Sequence, residues 1–371
     1  ITLDSTTVLG DDITVIAQTS LDITAEGRSE DVAIDGVRVE GNATAQISIQ
    51  GNSRLESTGN VNINATSKLD AKALAEAKSN ENTALDAAIA LTKIDNTAIA
   101  HISGSTQIST TGKLNLAATT QTTVETDADG TAGGSNAAGA TVAVADIEIQ
   151  TEAYIDEQVS IRQAQAIGVN ATAKEDISTQ STSTAGGAAG NSAATKEHLA
   201  SNQAATSEGN VDVAAAVAIA KVERQTQAYV ATDSTIQTEN ALDIRATSLT
   251  DSSIEADGSA SEGKIGVGVG VGINTIDLTN DAYVSGSGKI SAETIKVEAT
   301  TGDEQSDLKT EAVSGAGSSM VGVAGALALN RIQNHQNQAL IKDDASLNVD
   351  GANVHLKAET DVNHVAKALP K

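Results

Sequence analysis

Cysteine, phenylalanine and tryptophan are all missing from this chain of 371 residues, which holds one methionine, three tyrosines and a single proline, Pro370. Without cysteine there are no disulfide staples and no thiol nucleophile. Without aromatic bulk, Val, Ile, Leu and Ala must fill the interior, and at native packing density they suit a narrow core better than a wide one. Proline removes a ladder donor, so its absence from residues 1–369 suits continuous hydrogen-bonded strands.

Positive charge is also scarce, with 23 Lys and Arg against 49 Asp and Glu and a net charge of −26. The basic residues are scattered, which argues against nucleic acid and anionic membrane surfaces as partners. No apolar run reaches the length of a membrane span, so no membrane insertion is expected. Residues 1–10 lack the basic and apolar parts of a signal peptide, and a start at Ile1 suggests a mature or excised piece. Abundant Gly, Ser, Thr, Asn and Gln would suit disorder, but here the apolar residues are patterned.

The pattern is a repeat. One motif, apolar-x-apolar-x-Ala, occurs as Ile13/Val15/Ala17, Val61/Ile63/Ala65, Leu114/Leu116/Ala118, Ile167/Val169/Ala171, Leu242/Ile244/Ala246, Ile295/Val297/Ala299 and Val354/Leu356/Ala358. Between successive alanines the spacing is 48, 53, 53, 75, 53 and 59 residues. A second anchor keeps step with it: Ala45/Ile47, Ala100/Ile102, Ala153/Ile155, Ala228/Val230, Ala282/Val284 and Ala339/Ile341. Downstream of five of these lie Ile108, Ile161, Ile236, Ile290 and Leu347, and upstream of four lie Ile94, Ile147, Val222 and Ile276.

Period two within each motif marks strands with one buried face. The expected fold is therefore all-β: a right-handed parallel β-solenoid, or β-helix, with repeats of about 53 residues, running through residues 1–371 as one unit. Six short strands per repeat suggest two triangular coils of about 26 residues each, with three smaller coils as the alternative. At about 4.8 Å per coil, about fourteen coils give a rod on the order of 65 Å long. The spacing of 75 places an inserted loop at residues 181–210 in the fourth repeat, with a helical turn expected near Lys196 to Gln203.

Upstream of the second anchor each repeat alternates aliphatic with small residues. Burying the larger set puts Ile89, Leu91, Val142, Val144, Val217, Ile219, Val271 and Ile273 inside. It leaves Ala88, Ala90, Ala143, Ala145, Ala216, Ala218, Gly268 and Gly270 in an outward column of small side chains. Such a column fits a lateral packing face for another solenoid, or one covered by turn loops and the 181–210 insertion.

The stretches Val142 to Ile155, Val217 to Val230 and Val267 to Val284 join a Gly/Ala-rich alternating strand to Ala-Tyr-aliphatic. They resemble the repeats of fusobacterial-leukotoxin-type filamentous adhesins and related giant exported bacterial surface proteins, and the resemblance covers most of the chain. It implies a parallel β-solenoid outside the cell or on the bacterial surface, with a role in adhesion, biofilm or filaments, and it brings no catalytic residues.

Tyr154, Tyr229 and Tyr283 share one repeat position and should form an outward file, either a contact for sugars or a surface ladder, with Gln46, His101 and Leu340 at the equivalent positions. The run Gly266 to Gly272 alternates with valine as a strand does and opens no phosphate-binding helix. His101, His198, His335, His355 and His364 show no metal-ligand spacing. The carboxylate pairs Asp11/Asp12, Asp127/Asp129 and Asp343/Asp344 are placed at turns, out of register for a polysaccharide lyase or hydrolase.

No catalytic, cofactor-binding or metal residue is therefore assigned, and only loose binding of a divalent cation such as calcium is foreseen. The expected function is that of an extracellular structural or adhesive rod, a stalk or fibre segment, rather than an enzyme. Its expected partner is itself, end to end or laterally, because neither end shows a cap, with a host or cell-surface glycan or protein besides. A glycan-binding module on the same scaffold is the alternative.

Overall fold

Period two persists where the sequence looks broken, and this sets the architecture. In Lys113–Ala132 the inward positions run Leu114, Leu116, Ala118, Thr120, Thr122, Val124, Thr126 and Ala128, so threonine continues the buried face where apolar residues lapse. The structure, a computed structural model, describes residues 1–30, 33–79, 83–133, 136–185, 211–231, 233–302, 304–349 and 353–370. The described residues contain strands and turns and no helix.

Each repeat is one coil of three strands. A short strand such as Gln107–Thr110 leads into a long outgoing strand, Lys113–Ala132, and the chain comes back along a long return strand, Asn136–Ile155. Like strands of successive coils pair in parallel, giving a seven-stranded sheet of short strands and two long sheets. The long sheets are joined through Ala241–Ser285, a strand of 45 residues that runs outward and back.

The expected column is present: Val15 pairs with Ile63, Ile63 with Leu116, Leu116 with Val169, Val169 with Ile244, Ile244 with Val297, and Val297 with Leu356. Because Ile63 and Leu116 are direct neighbours, the pairing distance equals the repeat. The expectation of two coils per repeat is thereby corrected to one, and the six short strands to two long and one short. A strand of 20 residues extends about 66 Å and seven coils rise about 30 Å, so the molecule is a flat blade rather than a slender rod.

Two further expectations shift. Ala45 pairs with Ala98 and Ile47 with Ala100, so the first repeat is two residues out of the assumed step, and Ser48 rather than Gln46 neighbours His101. The outgoing strand Ala166–Ala185 stays paired through Ser181 to Ala185, so these five residues of the expected loop belong to the strand. Residues 186–210, including His198 and the expected helical turn, lie outside the described residues.

The cross-section tapers. At the base the three sheets enclose large aliphatics, among them Ile47, Ile49, Leu55, Ile63, Ile102, Ile108 and Leu116. Farther out only the two long sheets face each other, over Ala71, Ala73, Ala88, Ala90, Ala143, Ala145, Ala216 and Ala218. At the tip the clustered apolar residues among those described are alanines, including Ala84, Ala132 and Ala137. Inward-pointing asparagines tie the long sheets together. Asn280 donates to the carbonyls of Ala246 (3.2 Å) and Thr300 (3.0 Å), and Asn330 to those of Leu308 (3.0 Å) and Val365 (2.9 Å). Each of these side chains spans two successive outgoing strands and satisfies carbonyls that face the interior.

Candidate functional site

The taper inverts the expected faces of the return sheet. Ala143, Ala145, Ala216 and Ala218 are 0% exposed and point into the blade, and Gly268 and Gly270 are buried with them. A Cβ on Gly268 or Gly270 would overlap carbonyl oxygens of Gly315 or Val313 on the facing sheet. The lateral packing face expected at these residues is therefore corrected. They lie inside because only small side chains let two sheets approach nearer than the usual ~10 Å. Reasoning that the larger residue of an alternating pair goes inward fails where the interior is only two backbones wide.

The aliphatics thus face outward. One column runs Ile89, Val142, Val217, Val271 and Leu327, and the next runs Leu91, Val144, Ile219, Ile273 and Leu329. Leu85, 53% exposed, Ile89, 40% exposed, and the exposed Val211, Val213, Ile265 and Val269 belong to the same face. Toward the base the outward columns turn polar, first Lys93, Asp146, Lys221 and Thr275, then Asp95, Glu148, Glu223 and Asp277. Strands covered on both faces read as near-continuous apolar runs, and these do so with one face open.

Nearer the base the outward position holds the tyrosines. His101, Tyr154, Tyr229 and Tyr283 stack face to face, with centroids 5.0, 4.7 and 4.6 Å apart and planes within 7°. Lys342 sits 4.1 Å over the last ring, and Ser48 Oγ lies 2.9 Å from His101 Nε2 at the other end. Each ring face is covered by its neighbour, so a sugar cannot stack on it; only edges and hydroxyls face outward. Burial raises the Tyr154, Tyr229 and Tyr283 hydroxyl pKa values, that of Tyr283 to about 12, and lowers that of His101.

A polar groove of about 790 Å³ crosses the outer side of the short strands, lined by Arg54, Glu56, Gln107, Ser109, Arg162 and Gln237. Its floor bends at a bulge between Ile161 and Ala164, where Gln163 adopts φ 64° and accepts a hydrogen bond from Ser109 Oγ at 3.1 Å. The groove belongs to no expected site. Its sequence trace is one extra residue in Ser160–Ala164 relative to its neighbours.

Charged side chains also lie inside the blade, among them Glu175, Arg224 and Asp86. Arg224 Nη1 is 3.2 Å from Glu175 Oε2, and Thr250 Oγ1 donates to the same carboxylate oxygen and accepts from Arg224. Burial raises the Glu175 pKa against the opposing pull of Arg224 and Thr250. Near the tip Asp86, 6% exposed, has neither carboxylate oxygen hydrogen-bonded. Its carboxyl occupies the space left by Gly130 and Gly139, and burial, with the neighbouring Asp129 adding to it, raises its pKa to about 7.

The remaining candidates stay dispersed. Asp127 and Asp129 lie along the strand Lys113–Ala132, not at a turn as expected, whereas Asp11, Asp12, Asp343 and Asp344 do sit in bends and turns. His355 neighbours Glu298 at 3.6 Å, and burial lowers the pKa of both His335 and His364. Among the described residues no three His, Asp or Glu side chains converge on a common metal position. Gly266 to Gly272 continue the strand Ala241–Ser285. Compared with family models, curated proteins and solved structures, the chain matches none.

Proposed function

We propose that the chain is a structural module of an extracellular bacterial surface protein, a stalk or fibre segment of an adhesin or filament, acting by geometry rather than by catalysis. The observation that supports it most is the unbroken register from Val15 to Leu356, which makes seven coils one stiff body with outward side chains in straight files. The resemblance to leukotoxin-type filamentous adhesins points the same way. A net charge of −26 keeps such a body soluble, and divalent cations such as calcium would screen it loosely. Immunogold labelling of intact producing cells tests the reading: label on the outer surface is expected, and label confined to the cytoplasm overturns it.

The polar groove over the short strands favours a second reading, a binding module for a cell-surface glycan. Arg162, Gln107 and Gln237 offer hydrogen bonds to hydroxyls, which the covered ring faces of the tyrosine file do not. Glycan-array binding lost in Arg162→Ala and kept in Tyr229→Ala is the expected signature, and silence across the array overturns it.

A further inference from the structure

The apolar outer face of the return sheet has the size, charge and symmetry of a contact between two copies of this chain. Its aliphatic columns span nine residues, about 30 Å, along the strands and about 24 Å across five strands, on the order of 700 Å² per copy. A standard protein interface buries about 800 Å² per partner. A flat, parallel-stranded surface with Val and Ile in straight files fits a second sheet of the same corrugation, as the inner faces of sandwiches do.

Charge narrows the choice of partner. Two chains of net charge −26 repel, so surface poor in carboxylates favours a contact between them, and on five return strands the outward columns at Leu85, Ala87, Ile89 and Leu91 are aliphatic or small, with Arg38 bordering Leu91 on the strand beyond. The bordering column alternates in sign, Lys93, Asp146, Lys221, and within one copy Lys221 Nζ lies 3.7 Å from Asp146 Oδ1.

We infer that two copies dock through this face, about a two-fold axis running across the strands at the level of Ala140 and Ala215. That axis lays the aliphatic columns of the five strands on one another and carries the polar parts of the two sheets away from the contact in opposite directions. The acidic column Asp95, Glu148, Glu223, Asp277 then lies just outside the contact, so added salt screens the repulsion and tightens the pair. The inference names the lateral partner of the structural module proposed above. It is tested on the isolated chain, so its failure leaves the cell-surface labelling result untouched.

Sedimentation velocity on the 371-residue chain, from about 1 to about 100 μM and at about 0.05 and about 0.5 M salt, should show a monomer–dimer equilibrium that strengthens with salt. Val217→Lys places a charge in the centre of the contact and should weaken dimerisation at least ~100-fold, with the far-ultraviolet spectrum unchanged. The chain has no cysteine, so Ala215→Cys gives one thiol in the contact and Gln225→Cys one on the same strand outside it. A short bis-maleimide should cross-link the first variant and leave the second monomeric. A monomer throughout the range, a dimer unchanged by folded Val217→Lys, or no preferential cross-link at Ala215→Cys overturns the inference. The cross-linking result stands even where Val217→Lys fails to fold.

Discussion

Gly270 on the return sheet faces Val313 on the outgoing sheet so closely that a Cβ at position 270 would overlap the Val313 carbonyl oxygen. The facing carbonyl of Ala256 closes the same space from the neighbouring coil. In a strand, Gly to Ala ordinarily stabilises by removing freedom from the unfolded chain. Here the overlap is with backbone shared by two coils, which cannot step aside, so Gly270→Ala should cost about 1–3 kcal/mol. Gly325, where a Cβ would meet nothing within 4 Å, is the control, and Gly325→Ala should be neutral or slightly stabilising. Thermal and urea unfolding of the two variants compare them directly; equal stability would mean that the sheets have room to separate.

The same closeness explains which parts of the fold are legible in the sequence. The aliphatic files Ile13 to Val354 and Ile108 to Leu347 were legible because large side chains at the wide base recur in step. The blade was not. There Ala143 and Gly270 lie inside while Val142 and Val271 face out, and nothing in a two-residue period says which set is buried. The coil count is hidden in the sequence for a related reason: inward Thr120, Thr122 and Thr126 look like interruptions, yet Thr120 and Thr126 are satisfied by hydrogen bonds to Thr151 and Thr92 across the core. The tyrosine file was legible as a position, while its closed stacking follows from coils lying directly on one another.

Arg224 and Glu175 form a buried pair at positions where neighbouring coils carry other residues. Ile149 and Leu278 flank Arg224, and Thr122 and Thr250 flank Glu175. Arg224→Leu alone leaves a carboxylate buried without its partner and should cost about 3–5 kcal/mol at neutral pH. Combining it with Glu175→Thr restores the residue types of the adjoining coils and should recover most or all of that loss. Denaturant midpoints of the two single variants and the double variant close the cycle, and simple additivity would show that the pair is not coupled.

Tyr229 is held between Tyr154 and Tyr283, and with no tryptophan or phenylalanine the near-ultraviolet dichroism comes from these three rings alone. Tyr229→Ala breaks the file in the middle, so it should abolish most of that signal and lower stability by about 1–3 kcal/mol, two ring contacts being lost. The hydroxyl pKa values are raised in the folded state, for Tyr283 to about 12. Their contribution is full below the unfolded value near ~10 and is lost as pH rises through the folded values. Spectrophotometric titration should therefore show tyrosine ionisation delayed until the chain unfolds in alkali; a normal titration curve for all three would contradict the stacked burial.

Asp86 gives the blade a pH dependence of the opposite kind from that of a paired carboxylate. Its folded pKa of about 7 lies above the ordinary value of 3.8, so between these limits the folded chain binds a proton that the unfolded chain has released. The resulting stabilisation is complete below pH ~4 and disappears as pH climbs through about 7, where a charged carboxylate must sit with no hydrogen-bond donor. Asp86→Asn keeps the shape and removes the charge. It should raise stability at pH 8 by on the order of 3 kcal/mol and change it little at pH 4. Thermal unfolding of both proteins across this range measures the difference, which should grow steadily with pH; a difference that is flat or shrinks with pH would show that Asp86 is solvated or paired.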